Sequence, residues 1–139
     1  MHVSVTFPDK VNMLKPRALT AVLSQANTDG VHSSFVFRHD GTLLAFSSVR
    51  SDSSDPRVVA AIASKIWGVY EKSGRAALDQ NNLEMLLLDC DEGHVGVVPA
   101  HHTLICLIGD RDLGFGMLKA KADALVRFLE DPLSQIGVA

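Results

Sequence analysis

Two segments in the second half of the chain are apolar at every position. They read LLL at 86–88 and LICLI at 104–108. Side chains of a strand alternate between the two faces of a sheet, so strands without polar positions need cover on both faces. We therefore expect a sheet between two helical layers. The length of 139 residues allows one compact domain, and 47% apolar residues can fill one core.

Short turns decide how the predicted strands pair. HDG at 39–41 and DEG at 91–93 leave too few residues for a parallel crossover, which needs a dozen or more. The Asp-Gly step also accepts the positive φ angles of a tight hairpin. The sheet is therefore predicted to be antiparallel.

Eight elements follow from hydrophobic periodicity and from the residues that end it. Their order is α-β-β-α-β-β-β-α, an α/β (α+β) architecture with a five-stranded antiparallel sheet. The predicted helices cover about 16–26, 56–72 and 115–130, and the strands cover 31–38, 42–47, 83–89, 95–98 and 103–108. Ser73-Gly74 and Pro132 are expected to end the second and third helices. Residues 1–12 are expected to be a flexible extension of a domain at 13–139.

The middle helix has more apolar surface than one sheet can cover. One stripe at helical spacing is expected to face the sheet, and it consists of Val59, Ile62, Ala63, Ile66 and Tyr70. Other apolar residues lie outside that stripe or at its edges, namely Val58, Ala60, Ala61 and Trp67. Lys65 is the only ionic residue between Val58 and Glu71.

Two explanations fit the excess of apolar surface on the middle helix. In one, the helix is buried inside a monomer, or alanines occupy solvent positions because they favour helix. In the other, the second side packs on another protein. Ala60, Ala61 and Ser64 would then allow close approach of a helix, with Trp67 as an anchor at the rim.

The sequence gives no positive case for an enzyme, a metal or a cofactor. GFG at 114–116 resembles a piece of a phosphate loop, but position 119 is lysine where GxGxxG needs glycine. The cluster CDEGH at 90–94 contains only two good zinc donors. No general base is placed beside a nucleophile.

The charge and the cysteine content limit which binding partners and which cellular compartment we expect for this chain. Thirteen basic and 16 acidic residues give a net charge of −3 without a basic block, so nucleic acid and bare anionic membrane are poor partners. Cys90 and Cys106 form no CxxC pair, which is typical of a reducing compartment. No signal peptide, lipidation motif or membrane span is recognised, so a partner would have to hold the chain at a membrane.

Four blocks, in order along the chain, resemble one family. They are LKPRALTAVLSQANTDGVHSS at 14–34, AAIASKIW at 60–67, LLLDCDEGHVGV at 86–97 and GFGMLKAKADALVRFLEDPLSQ at 114–135. These blocks resemble the roadblock/dynein light chain superfamily, and within it the family of the second roadblock subunit of the Ragulator complex. That complex is the late endosomal and lysosomal adaptor for MAP kinase and TOR signalling.

The resemblance implies a non-catalytic scaffold with the roadblock fold, which heterodimerises with a MEK-binding roadblock subunit. In that family the middle helices pair and the third strands join edge to edge. Carried over to this chain, the implied interface consists of Ala60, Ala61, Ser64, Lys65, Trp67, Glu84, Leu86 and Leu88. Substituting Ala60→Glu or Ala61→Glu is therefore predicted to abolish partner binding.

The resemblance also implies a place in the cell and further partners. A lipidated anchor subunit would tie the complex to the cytoplasmic face of late endosomes and lysosomes. Rag GTPases would dock there, and their nucleotide exchange would depend on the complex and not on this chain alone. A dynein-light-chain role, which links cargo to a motor, is the alternative, and co-purified partners would separate the two.

Overall fold

The computed structural model describes residues 16–50, 55–78, 84–91 and 93–137. The elements are α1 (Pro16–Ala26), β1 (Val31–Arg38), β2 (Leu43–Ser48), α2 (Pro56–Leu78), β3 (Leu86–Cys90), β4 (Gly93–Ala100), β5 (Thr103–Gly109) and α3 (Phe115–Gly137). This order confirms the predicted succession of helices and strands. The extension predicted at 1–12 lies outside the described residues.

The five strands form one antiparallel sheet in the order β2-β1-β5-β4-β3. β1 and β5 lie inside the sheet and are buried along almost their whole length. Burial on both sides explains why the segment at 104–108 has no polar position. β2 and β3 form the two edges.

Each face of the sheet has its own hydrophobic core. α1 and α3 cover one face, where Leu19 and Leu23 pack with Ile105, Leu118 and Leu129. α2 covers the other face, where Trp67 packs with Phe35, Phe37, Val97 and Leu104. The sheet therefore lies between two helical layers, as predicted, although the edge strand β3 is not covered on both faces as its three leucines predicted, because Leu87 is 40% exposed.

The β1–β2 hairpin forms where Asp40-Gly41 predicted it. The Gly41 N–H donates to the Arg38 carbonyl at 2.9 Å, and Gly41 has φ of +95°, a region that favours glycine. The turn also packs against α2, because a Cβ added at Gly41 would lie 3.3 Å from Ala61 Cα. Gly41 thus permits both the turn and the close approach of the helix.

β4 continues through Pro99, where the sequence predicted that the strand would end. Pro99 pairs with Leu104 of β5, while the pairing of β4 with β3 ends at Val97. Among the described residues no strand pairs with β4 at Pro99 on the side of β3, so the N–H that proline lacks is not needed there.

The second and third helices are longer than predicted. α2 runs through Ser73-Gly74 to Leu78, and α3 runs through Pro132 to Gly137. Glycine inside a helix costs only about 1 kcal/mol relative to alanine, which does not end a helix held by tertiary packing. Proline costs more, but α3 is anchored before it by buried Leu125 and Leu129.

Candidate protein interface

α2 packs on the sheet through four small or aromatic side chains. Ala60, Ala63, Ser64 and Trp67 are buried, and Trp67 is only 1% exposed. Trp67 belongs to the core that contains Phe35 and Phe37. The small residues on the same side let the helix approach the sheet closely, so that the indole fills the space beside them.

The predicted stripe of α2 was right only in part, because Ala63 is buried and Val59 and Ile66 pack against the same core. Ile62 and Tyr70, which the sequence pattern assigned to the sheet, are 55% and 54% exposed. Two apolar stripes overlap on this helix, and the stripe that contains tryptophan is the one that the sheet covers. Burial of an indole removes more apolar area from water than burial of an isoleucine, which favours this orientation.

The observed orientation of α2 places several of the predicted interface residues in the core instead of on the surface. Ala60, Ser64 and Trp67 lie in the core of the chain itself, so Trp67 is not an anchor at a rim. Ala61 and Lys65 are exposed, with Ala61 next to the β1–β2 turn.

A second apolar side of α2 remains exposed. Val58, Ile62 and Val69 point away from the core and lie at spacings of four and seven residues, which share one side of a helix. We call these three residues, together with Lys65, the outer face of α2. The sequence analysis did not recognise the outer face as one surface. The spacing of Val58, Ile62 and Val69 is the pattern that could have predicted it.

An apolar groove adjoins the outer face. α2 packs mainly over β1 and β2, which leaves a space of about 220 Å³ above the remaining strands. α2 and strands β3 to β5 line this groove with Val59, Ile62, Ala63, Ile66, Leu88, Cys90, Asp91, Val95, Cys106 and Ile108. Asp91 is the only charged residue among them, so the groove is suited to apolar side chains.

The two cysteines lie at different depths in this groove. Cys90 is exposed, whereas Cys106 is buried. Burial raises the pKa of the Cys106 thiol to about 12, and the nearby Cys90 adds to the shift in the same direction. At neutral pH Cys106 is therefore an un-ionised, apolar component of the groove wall.

β3 brings the remaining predicted interface residues to one edge of the sheet. Leu86 is 8% exposed and belongs to the core, Leu88 is half-buried in the groove, and Glu84 lies exposed just before the strand. Within the described portion of the chain, β4 is the sole strand that pairs with β3. The outer side of an edge strand presents backbone groups that can bind another strand.

His94 holds the start of β4 against α3 and β3. Its ring stacks on Phe115 at 4.1 Å between centroids, and its Nδ1 lies 2.7 Å from the Leu113 carbonyl oxygen. Its Nε2 lies 3.6 Å from a carboxylate oxygen of Asp89 on β3. His94 thus packs the start of β4 on α3, and its contact with the exposed Asp89 carboxylate adds only a weak link to β3.

Metal binding and membrane crossing each require a recognisable arrangement of residues. Among residues 16–50, 55–78, 84–91 and 93–137, no three His, Cys, Asp or Glu side chains are grouped so that they could hold a metal ion. Within those same ranges, no helix is long and apolar enough to cross a membrane.

Comparison with known proteins identifies the fold family. The profile of the Roadblock/LC7 domain matches residues 18–109. The chain belongs to the Roadblock/LC7 domain family. This roadblock chain is also 30% identical over 126 residues to a Caenorhabditis elegans protein named "Ragulator complex protein LAMTOR2 homolog". That alignment covers 90% of this chain and 97% of the relative, and confirms the resemblance seen in the four sequence blocks.

Solved roadblock structures have the same architecture. A Roadblock/LC7 domain from Streptomyces avermitilis superposes with a TM-score of 0.73, at 18% identity, over 82% of this chain and 96% of that one. MglB from Myxococcus xanthus superposes with a TM-score of 0.70, at 12% identity, over 85% of this chain and 93% of that one. At these identities the likeness concerns the roadblock fold alone.

Proposed function

We propose that this roadblock chain is a non-catalytic scaffold subunit of a Ragulator-type complex. The observation that carries the proposal is the outer face of α2 beside the apolar groove, in a chain that resembles a LAMTOR2 homolog over nearly its full length. An exposed apolar surface of this kind promotes aggregation unless another protein covers it.

The partner in this proposal is a second roadblock subunit, the MEK-binding one. The middle helices of the two chains pair, and their third strands join edge to edge. On this chain, α2 contributes Ile62 and Lys65 from its outer face, with Ala61 at the flank, and β3 contributes Leu88. Ala60, Ser64, Trp67 and Leu86 support the surface from within the core.

The mechanism of such a scaffold is to bring other proteins together. Rag GTPases dock on the assembled complex, which promotes their nucleotide exchange and activates TOR signalling at lysosomes. The complex also holds MAP kinase components on late endosomes. A lipidated anchor subunit supplies the attachment to the cytoplasmic side of the membrane. Tethering raises the effective concentration of bound proteins and needs no catalytic group in this chain.

Affinity purification with Ile62→Glu tests the proposed surface. Ile62 is exposed and lines the groove, so a glutamate there would bring a charge into the apolar contact of the heterodimer, where its desolvation is costly. We expect about a hundredfold or greater loss of roadblock partner, quantified by mass spectrometry of the captured proteins.

Met117→Glu is the matched control. Met117 is exposed to a similar degree but lies on α3, on the opposite face of the sheet. Capture of Ragulator subunits by the wild type and by Met117→Glu, but not by Ile62→Glu, would support the proposal. Recovery of dynein intermediate chain in place of those subunits would instead identify a motor adaptor.

A further inference from the structure

The exposed charges of α2 have one sign. The exposed charged side chains among its described residues are Arg57, Lys65 and Lys72, all of them basic. Glu71 is the only acidic residue in the helix sequence; it is half-buried and already interacts within the chain. Asp55 precedes the helix, where its carboxylate accepts a hydrogen bond from the Arg57 backbone N–H at 2.9 Å. Towards a neighbouring chain, α2 is therefore a basic helix.

The charges of the β3 edge have the opposite sign. Glu84, Asp89 and Asp91 are exposed, and the sequence from Glu84 to Asp91 contains no lysine or arginine. Asp89 lies 3.6 Å from a His94 nitrogen on β4, and its side chain remains 61% exposed, so its charge adds to the negative potential of this edge. The groove lies between the basic helix and this acidic edge.

A second copy of this chain would bring like charges together. In a two-fold symmetric pair each element meets its own copy, so α2 would meet α2 and β3 would meet β3. Lys65 lies near the middle of α2, close to where such an axis would pass. Like charges that face each other across paired helices or strands are destabilising.

We propose that this surface disfavours self-pairing and selects a partner whose pairing helix is acidic and whose pairing strand is basic. The inference rests on the pairing geometry of the proposed function. In it, the apolar groove and outer face supply affinity to any roadblock chain that fits, and the charges decide which chain that is.

Sedimentation velocity on a charge-reversed variant tests this selection without the natural partner. The variant carries Lys65→Glu and Glu84→Lys. In a mixed dimer, α2 of the wild type would therefore meet a glutamate on α2 of the variant, and the acidic β3 edge of the wild type would meet a lysine on the variant. We expect the mixture of wild type and variant to dimerise about tenfold more tightly than the wild type alone. Added salt should weaken the mixed dimer and strengthen self-association of the wild type, because screening acts on attraction and on repulsion alike.

Lys119→Glu provides the matched control. Lys119 is exposed on α3, on the opposite face of the sheet, and its ion pair with Asp123 at 3.8 Å is a surface contact. A mixture of wild type with Lys119→Glu should dimerise no more tightly than the wild type alone. Equal association in the two mixtures, or wild-type self-association that salt leaves unchanged, would overturn the inference.

Capture of the natural partner by the variants tests this inference separately from the proposed function. If Lys65→Glu captures the roadblock partner as well as the wild type at low salt, while Ile62→Glu loses it, the surface is correct and the charge selection is refuted. If the wild type captures no roadblock subunit at all, the proposed function fails, and the mixing experiment still decides whether the charges oppose self-pairing.

Discussion

At the scale of single residues, Trp67 determines which side of α2 faces the sheet. It packs with Phe35 and Phe37, and Ala60, about two turns earlier on the same side, lets the helix lie close to the sheet. Helical periodicity could identify α2 from the sequence, but Ile62 lies on a competing apolar stripe. The choice between the stripes depends on the shape of the sheet surface, which periodicity does not contain.

Trp67→Ala should destabilise the isolated chain strongly. Removal of a fully buried indole loses its apolar burial and leaves a cavity, which together cost about 3–5 kcal/mol. Tyr70→Ala is the control on the same helix, and we expect it to cost less than about 1 kcal/mol because Tyr70 is largely exposed. Urea unfolding measures both, and equal costs would contradict the burial of Trp67 in the core.

At the scale of elements, α2 differs from an ordinary surface helix because its solvent side is apolar. Ala60 and Ala61 are neighbours in sequence, yet Ala60 is fully buried and Ala61 is exposed. The sequence predicted two apolar sides but could not assign adjacent alanines to them. Their substitution is therefore a direct test of the helix register.

Ala60→Glu and Ala61→Glu should have different effects on folding. A glutamate at position 60 would be buried against the sheet without a partner, so we expect the isolated chain to be largely unfolded. A glutamate at position 61 can reach solvent and should change stability by only about 0.5 kcal/mol. Thermal unfolding followed by circular dichroism distinguishes them. A folded Ala60→Glu protein would contradict the structure.

At the scale of the whole molecule, the sequence predicts the order of elements better than their arrangement. Apolar strands and the short turns at 39–41 and 91–93 were sufficient to predict an antiparallel sheet between helical layers. The groove was not predictable from the sequence. It forms because α2 packs mainly on β1 and β2 and leaves Val95 and Ile108 partly uncovered. This position of α2 depends on packing between residues far apart in the chain, such as the core that Trp67 shares with residues of β1 and β5.

Alkaline pH should destabilise the whole domain through Cys106. Its thiol ionises near pH 9.0 in an unfolded chain and near pH 12 in the folded one. Above about pH 9 the unfolded state therefore loses a proton that the folded state keeps, and stability falls by up to about 1.4 kcal/mol per pH unit. Below pH 9 this contribution is fully present.

Urea unfolding at several alkaline pH values measures this slope. Cys106→Ala should flatten it, because no buried thiol remains to titrate. Cys90→Ala should retain it, since Cys90 is exposed. The same slope in wild type and Cys106→Ala would mean that other groups cause the alkaline loss of stability.

The β1–β2 turn packs against one side of α2. Gly41 lies so near the helix that an added Cβ would be 3.0 Å from Ser64 Oγ and 3.3 Å from Ala61 Cα. Near Ala61 and Ser64 the turn therefore occupies this side of α2 and leaves no room there for a second helix. If the partner docks from the side of the groove, as proposed, one neighbour occupies α2, and growth through this helix ends with a pair instead of continuing into a fibre.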